Sequence, residues 1–399
     1  MIAFFLSPLY ALVCIYVVNR LFRFLQAVPL AVFQHKAFKI TFSVIFGLVA
    51  LLPVWSYLLP LNTTAKRVGQ LLNNYWTGIF EYIFLVVGFT ELIVQIIGLI
   101  KKNRKEFVRK TSVRIISGIV ALSVITGLCT YGIIHARNVQ LTEYSVKIDK
   151  KVDGLDKMKV VLIADLHMGY NVGTSHIEEM VKVVNNQNAD LIVIAGDIFD
   201  NDYDALDNPE KLSSLLSSMK STYGTYACWG NHDISETLFM GFTVDSTKEI
   251  RRDDRMEEFL KKSNIHLLCD ETLLVNNQFY ISGRNDSEKI ISDTGTRLNP
   301  QELLTNTDKK YPVFVIYHEP DEFEELSNAG CDLLLCGHTH NGQTFPGNLF
   351  IKLRWENPCG YQKINHMHQI TTSGIGVWGP YIRVGTDSEV AAIDVEFQK

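Results

Sequence analysis

Residues Leu333 to Gln343 read LLLCGHTHNGQ. An unbroken apolar run stops at a glycine, and two imidazoles, His338 and His340, follow one residue apart. A short apolar run without alternation suits a strand buried on both faces. Histidines at its mouth suit either a polar turn or a metal. Four other stretches repeat the design: MKVVLIADLHMG from Met158, ADLIVIAGDIFDN from Ala189, GTYACWGNHD from Gly224 and YPVFVIYHEPD from Tyr311. Each stops at Asp, His or Asn. Helical patterns lie between several of them. SHIEEMVKVVNNQN opens with Ser175-x-x-Glu178, the spacing of a capping box, and DRMEEFLKKSN alternates charge like an exposed helix face. This alternation predicts a layered α/β domain, with ligands bound beyond the carboxyl ends of the strands.

The polar residues collected there are Asp165, His167, Asp197, Asp200, Asn231, His232, His318, His338 and His340. Oxygen and imidazole donors without thiolate suit divalent Mn, Fe or Zn. Two such cations, roughly 3.5–4 Å apart and bridged by a carboxylate, form the clamp used on phosphate esters. Any one histidine is more often a hydrogen-bonded polar residue than a ligand. Five such strand ends in one domain make coincidence a small residual. The seven cysteines form no CxxC pair, so neither a zinc ribbon nor a disulfide framework is indicated. Cys331 and Cys336 read as buried core residues.

The first third of the chain is far more apolar than the rest. Four runs reach the length of about 20 residues that a bilayer requires: from Ile2 to before Arg20, Ile40 to Pro60, Gly78 to Ile100, and Val113 to Ala136. There is no positive n-region and three more runs follow the first, so a cleaved signal peptide is not the reading. Arg23, Gln26 and Pro29 make Leu21 to His35 an interfacial segment. The first loop (Arg20, Arg23, Lys36, Lys39) and the third (KKNRKEFVRKTSVR) are basic and should stay cytoplasmic. Both termini then lie outside, with Trp55, Tyr57, Tyr75, Trp76 and Tyr131 at the outer interface. Glu91 and Gln95, one turn apart, are placed to share a polar face inside the bundle. A net charge of -5 offers no basic field for nucleic acid.

The five blocks DLH, GDIFD, GNHD, YHEPD and GHTH, in that order, resemble the calcineurin-like metallophosphoesterases. The resemblance covers the chain after about residue 155. GHTHNGQ and GIGVWGPYIRVG look like the membrane-anchored branch that acts on phosphodiesters or phospholipid-linked substrates. The implied fold is a two-sheet α/β sandwich flanked by helices. By position, Asp165, His167 and His340 would hold one divalent ion (Mn, Fe or Zn) and Asn231, His318 and His338 the second, with Asp197 bridging. His232 would contact the phosphate and protonate the leaving oxygen, and Asp200 would orient its imidazole. Gly196, Gly230 and Gly337 precede ligands and would let the backbone turn sharply. Asn201 stands where the phosphoprotein phosphatases of the family carry Arg, which argues against a phosphoprotein substrate. Arg284 and Arg383 are weighed as replacements, with a surface arginine the expectation for each. His366 and His368 are candidates for the edge of the site, and His176 and His266 for surface or packing positions.

The expected organisation is a four-helix transmembrane domain at 1–137, a linker and first strand region at 138–156, and a metallophosphoesterase domain at 157–399. The expected function is a multi-pass, membrane-embedded phosphoesterase of the cell membrane that hydrolyses phosphodiester or phosphomonoester bonds. Its substrate would be a lipid-linked or cell-envelope phosphoester, and its catalytic domain would face away from the cytoplasm. The alternative is a membrane sensor or scaffold that binds a ligand without turnover. Few intramembrane charges disfavour a transporter.

Overall fold

A computed structural model describes residues 2–60, 63–236, 238, 239, 242, 243, 251–287 and 297–398. Two compact units emerge, one built on the chain up to Ile133 and the other beginning at Ile134.

The first unit is helical: α1 (Ile2–Leu25), α2 (Lys36–Ala50), α3 (Leu52–Leu58), α4 (Thr64–Ile100), α5 (Arg104–Arg109) and most of α6 (Thr111–His135). Among the described residues, α1, α4 and α6 are long and apolar enough to cross a membrane. The second expected run is bent by 48° between α2 and α3 and makes a fourth span only if the pair crosses as one. Pro53, in the first turn of α3, accounts for the bend, because it lacks an N–H and its ring displaces the preceding turn. The third run belongs to a longer element than hydropathy indicates. The 37 residues of α4 span about 55 Å at 1.5 Å per residue, against a hydrocarbon core of ~30 Å. Its polar first turns start at Thr63, whose side chain accepts from Lys66 N at 3.1 Å. Lys66 Nζ in turn donates to Ser56 O at 2.7 Å, satisfying an end carbonyl of α3.

The second unit holds two six-stranded mixed sheets. Its strands are β1 (Val139–Lys151), β2 (Lys157–Ile163), β3 (Leu191–Ala195), β4 (Thr225–Cys228), β5 (Ile265–Leu267), β6 (Glu271–Val275), β7 (Phe279–Gly283), β8 (Val313–Ile316), β9 (Leu333–Cys336), β10 (Gly360–Ile364), β11 (Met367–Thr371) and β12 (Ser388–Gln398). One sheet runs β1-β12-β2-β3-β4-β5, the other β10-β11-β9-β8-β7-β6. The region expected as linker and first strand is β1, a thirteen-residue edge strand paired in parallel with β12.

Side-chain alternation explains the unbroken apolar runs. Val160, Leu162, Leu191, Val193, Phe314, Ile316, Leu333 and Leu335 point into the core between the sheets. Their neighbours Val161, Ile163, Ile192 and Ile194 point outward, onto α7 (Thr174–Asn185), α8 (Pro209–Ser217) and α9 (Asp254–Lys262). Val313, Val315 and Leu334 pack on the other flank, with Phe323 and Leu326 of the helix Phe323–Ala329. Both faces of β3, β8 and β9 are therefore buried along their whole length. Cys331 and Cys336 are buried, as expected.

Two local expectations are corrected. Ser175 caps nothing: α7 starts one residue earlier, and the carboxylate of Asp207 accepts from Thr174 N and Oγ1, each at 3.0 Å. His368 is far from the strand ends that carry the site. It pairs with Leu333 at the start of β9 and bonds Lys147 O at 2.8 Å through Nε2, while His366 is exposed in the turn before it.

Candidate metal centre

Strands β2, β3 and β4 are parallel neighbours, as are β8 and β9. Their carboxyl ends lie together, so the five motifs converge. The loops continue the ladder beyond the strands: Asp165 N donates to Gly196 O and His167 N to Asp197 O, both at 3.0 Å. Asn201 N reaches His232 O at 3.0 Å.

The polar side chains sit on strained backbone. Asp165, His167, Asp197, His338 and His340 all have positive φ, between 45° and 77°. Each such residue costs on the order of 1–3 kcal/mol and persists where surrounding contacts enforce it. Of the three glycines expected to permit turns, Gly196 alone has positive φ, +76°. Gly230 and Gly337 are needed for close approach instead. A Cβ at Gly230 would lie 2.3 Å from Asp197 Oδ1, and one at Gly337 would lie 2.5 Å from Asp165 Oδ2.

Two groups of donors result, with Asp197 facing both. In the first, His167 Nε2 lies 3.0 Å from His340 Nε2, and His340 Nε2 lies 3.7 Å from Asp165 Oδ1. In the second, His338 Nδ1 lies 3.1 Å from His318 Nε2 and 3.2 Å from Asn231 Oδ1. Asp197 Oδ2 is 3.6 Å from His167 Nε2 and 3.1 Å from His318 Nε2. Its other oxygen accepts from His232 N at 2.7 Å, which fixes the carboxylate plane. Asp165 is held in the same way by His338 N, at 2.9 Å to Oδ1.

Outer contacts set the tautomers that ligation requires. His318 Nδ1–H donates to Ala195 O at 2.8 Å, leaving the Nε2 lone pair directed inward. His167 Nδ1 donates to Asp200 Oδ1 at 3.3 Å with the same result. Asp200 thus serves His167, not His232 as expected. The residue against His232 Nδ1 is Asn201, through Oδ1. Asn201 has φ +59° and is nearly fully buried, and its left-handed turn swings its amide past Asp200 toward the imidazole. The sequence marked Asn201 only as an arginine not present.

Electrostatics favours cation binding. Burial pushes Asp165 up to about 6, against His318 and with Asp197. Burial also acts to raise Asp197, but His318, His232 and His167 hold it well below the usual carboxylate range. Burial, with His318 next, lowers His338 to about 3. Burial, with His167 and Arg383, holds His340 well below its ordinary value. At His318 and His167 burial acts to lower the pKa, but the surrounding carboxylates, Asp197 among them, outweigh it and raise both imidazoles, His318 well above its ordinary value. His338 and His340 are thus ready as neutral donors, and a divalent ion would have to displace protons from His318 and His167.

Both weighed arginines are fully buried, not on the surface. Arg284 pairs with Glu322 at 2.8 Å and donates to Leu298 O at 2.8 Å. Arg383 donates to Ser373 O at 2.8 Å and Gly376 O at 2.6 Å, and lies 3.2 Å from His340 Nδ1. It therefore pins the SGIG segment, whose Gly376 N donates to Asp165 O at 2.7 Å. Neither arginine is free to grip a phosphate. Gln343, the last residue of the opening motif, clamps Trp378 through both backbone groups at 2.9 and 3.0 Å. The Trp378 ring lies 6.0 Å from that of His232.

Residues 158–342 match the model of the calcineurin-like phosphoesterase family. The matched stretch lies almost wholly within the two-sheet unit and holds all five motifs, ending before the SGIG segment. The chain is 25% identical over 416 residues to an uncharacterized metallophosphoesterase of Campylobacter jejuni, covering 100% of this chain and 98% of the relative. It is 26% identical over 280 residues to a transmembrane protein with metallophosphoesterase domain of Danio rerio, covering 69% of this chain and 62% of that one. The match thus spans less than two thirds of the fish protein. Phosphodiesterase YaeI of Escherichia coli is 27% identical over 253 residues, covering 61% of this chain and 84% of the relative.

Proposed function

We propose that this chain is a membrane-anchored phosphoric ester hydrolase that works with two divalent cations and prefers phosphodiesters. The observation that carries the reading is Asp197: one carboxylate oxygen faces His167 and His318, one from each donor group. Asp165, His167 and His340 would hold one ion, Asn231, His318 and His338 the other, and Asp197 both. Bound there, the cations would activate water and screen the phosphoryl oxygens. The residues of the chain do the rest. Asp200 and Ala195 O keep two imidazoles in the ligating tautomer. His232, steadied by Asn201, stands beside both groups to protonate the leaving oxygen. The buried state of Arg284 and Arg383 leaves phosphate recognition to the ions and His232, which fits a diester of single negative charge better than a phosphoprotein monoester. A screen of purified protein with added Mn, Fe or Zn against phosphomonoesters, phosphodiesters and phospholipids tests this. Diester turnover that a chelator abolishes and Mn restores is the expected result. No turnover with any of the three metals would favour the ligand-binding scaffold.

The same proposal places the domain outside the cytoplasm, beside a lipid-linked or cell-envelope phosphoester. The basic segment from Lys101 to Arg114, between α4 and α6, is the support, because basic loops stay inside. The chain leaving α6 is then outside, whatever the bent pair does. Arg20 near the end of α1 lies 3.2 Å from Glu91 in the second half of α4, which supports a first loop on the same side as the α4–α6 loop and a bent pair that crosses. Arg20, Arg23, Lys36 and Lys39 would then also be inside, in agreement with the charge rule. Protease added to intact spheroplasts should cleave the domain. Protection until the membrane is permeabilised would place the domain in the cytoplasm.

A further inference from the structure

The helical unit contains a cavity of about 130 Å³ between α1, α4 and α6, with Val108 of α5 also in its lining. The lining is mainly apolar, with Thr90 and Ser117, and carries four charged residues: Arg20, Glu91, the half-buried Arg114 and the exposed Arg23. Arg20 is neutralised: its guanidinium lies 3.2 Å from Glu91 Oε1, and Gln95 Nε2 donates to the same oxygen at 2.6 Å. Arg23 and Arg114 have no acidic partner among the described residues. The nearest polar contact of Arg114 is a long one, Nε to Val108 O at 3.4 Å. The wall is also closely built. A Cβ at Gly118 of α6 would sit 1.9 Å from the Phe24 ring of α1, so the helices touch directly beside the cavity.

Two uncompensated guanidinium groups on an apolar cavity, within a unit whose helices are long enough to span a bilayer, call for an anion that is itself part of the membrane. We propose that this cavity binds the headgroup phosphate of an anionic phospholipid, with the start of one acyl chain along the apolar wall. Guanidinium presents paired N–H donors that fit phosphate oxygens, and basic pockets between transmembrane helices on the cytoplasmic side are suited to anionic headgroups. The cavity volume suits a headgroup, not a whole lipid, so the chains continue into the bilayer. The site is independent of the metal centre and does not depend on which ester that centre hydrolyses.

The test uses the full chain, delipidated in detergent and incubated with phosphatidylglycerol, phosphatidylcholine or inorganic phosphate, with retained lipid counted by native mass spectrometry. Phosphatidylglycerol should be retained over phosphatidylcholine, and millimolar phosphate should not displace it. R23Q/R114Q should weaken retention roughly 10- to 30-fold. K102Q/K105Q makes the same charge change on residues that do not line the cavity, Lys102 in the turn before α5 and Lys105 within it, and should have little effect. Unchanged hydrolysis of a soluble diester by R23Q/R114Q would show that the protein is intact. Equal retention of the two lipids, equal losses in the two double variants, or displacement by phosphate would each overturn the lipid site. If R23Q/R114Q does not fold, the wild-type lipid and phosphate comparisons still decide.

Discussion

Asp197→Asn is expected to lower phosphoesterase turnover by roughly 10³-fold or more and to leave the purified protein with at most one cation. The side chains have the same shape, so the fold should survive. Asn Oδ1 can keep the bond that Asp197 Oδ1 accepts from His232 N. The amide then turns toward His318 and His167, which lie 3.1 and 3.6 Å from the present Oδ2. An N–H would point at the two imidazole lone pairs that should face the ions, where a shared negative charge now stands. Charge stabilisation by a bound cation is worth several kcal/mol, and about 4 kcal/mol is a thousandfold in rate. Elemental analysis beside diester turnover checks both halves. Full metal content in the variant, or a loss below tenfold, would remove Asp197 from the bridging position.

Much of this centre was legible because its signals are local. An apolar run that stops at Asp, His or Asn states in one line both the buried strand and the polar group at its end. Five such lines, parallel in space, bring the donors together without further information. What was missed depends on geometry that sequence spacing does not contain. Asp200 and Asn201 are adjacent, and only the left-handed turn at Asn201 decides which of them reaches His232. Arg284 and Arg383 read as surface residues because arginine usually is one. Arg284 is buried by a partner 38 residues away, Glu322, and Arg383 by the loop just before it, which folds back so that the carbonyls of Ser373 and Gly376 accept its N–H groups. The Asp207 cap on α7 likewise comes from 33 residues away. In the helical unit, hydropathy located the apolar runs. It gave no sign that α4 continues back to Thr64, because helix length follows from caps and packing as well as from hydropathy.

His232→Ala is expected to lower turnover by roughly 10²–10⁴-fold on a diester with a poor leaving group, the usual share of a general acid. It should leave metal content largely unchanged, because the backbone N–H at 232, not the ring, holds Asp197. Burial lowers the basicity of the imidazole, against the nearby carboxylates. Its Nδ1 is tied to the neutral amide oxygen of Asn201. That leaves Nε2 to carry the proton toward the leaving oxygen, from a ring that gives it up readily. A nitrophenyl leaving group departs with little need of a proton, so the loss on a nitrophenyl diester should be much smaller. Asn201→Ala should show the same dependence on leaving group at reduced size, because the acid remains but its ring is no longer held. Measuring both variants on a matched pair of poor and good leaving groups separates the roles. Equal losses on the two substrates would mean that His232 binds phosphate without donating a proton, and Asn201 would then be a support for binding alone.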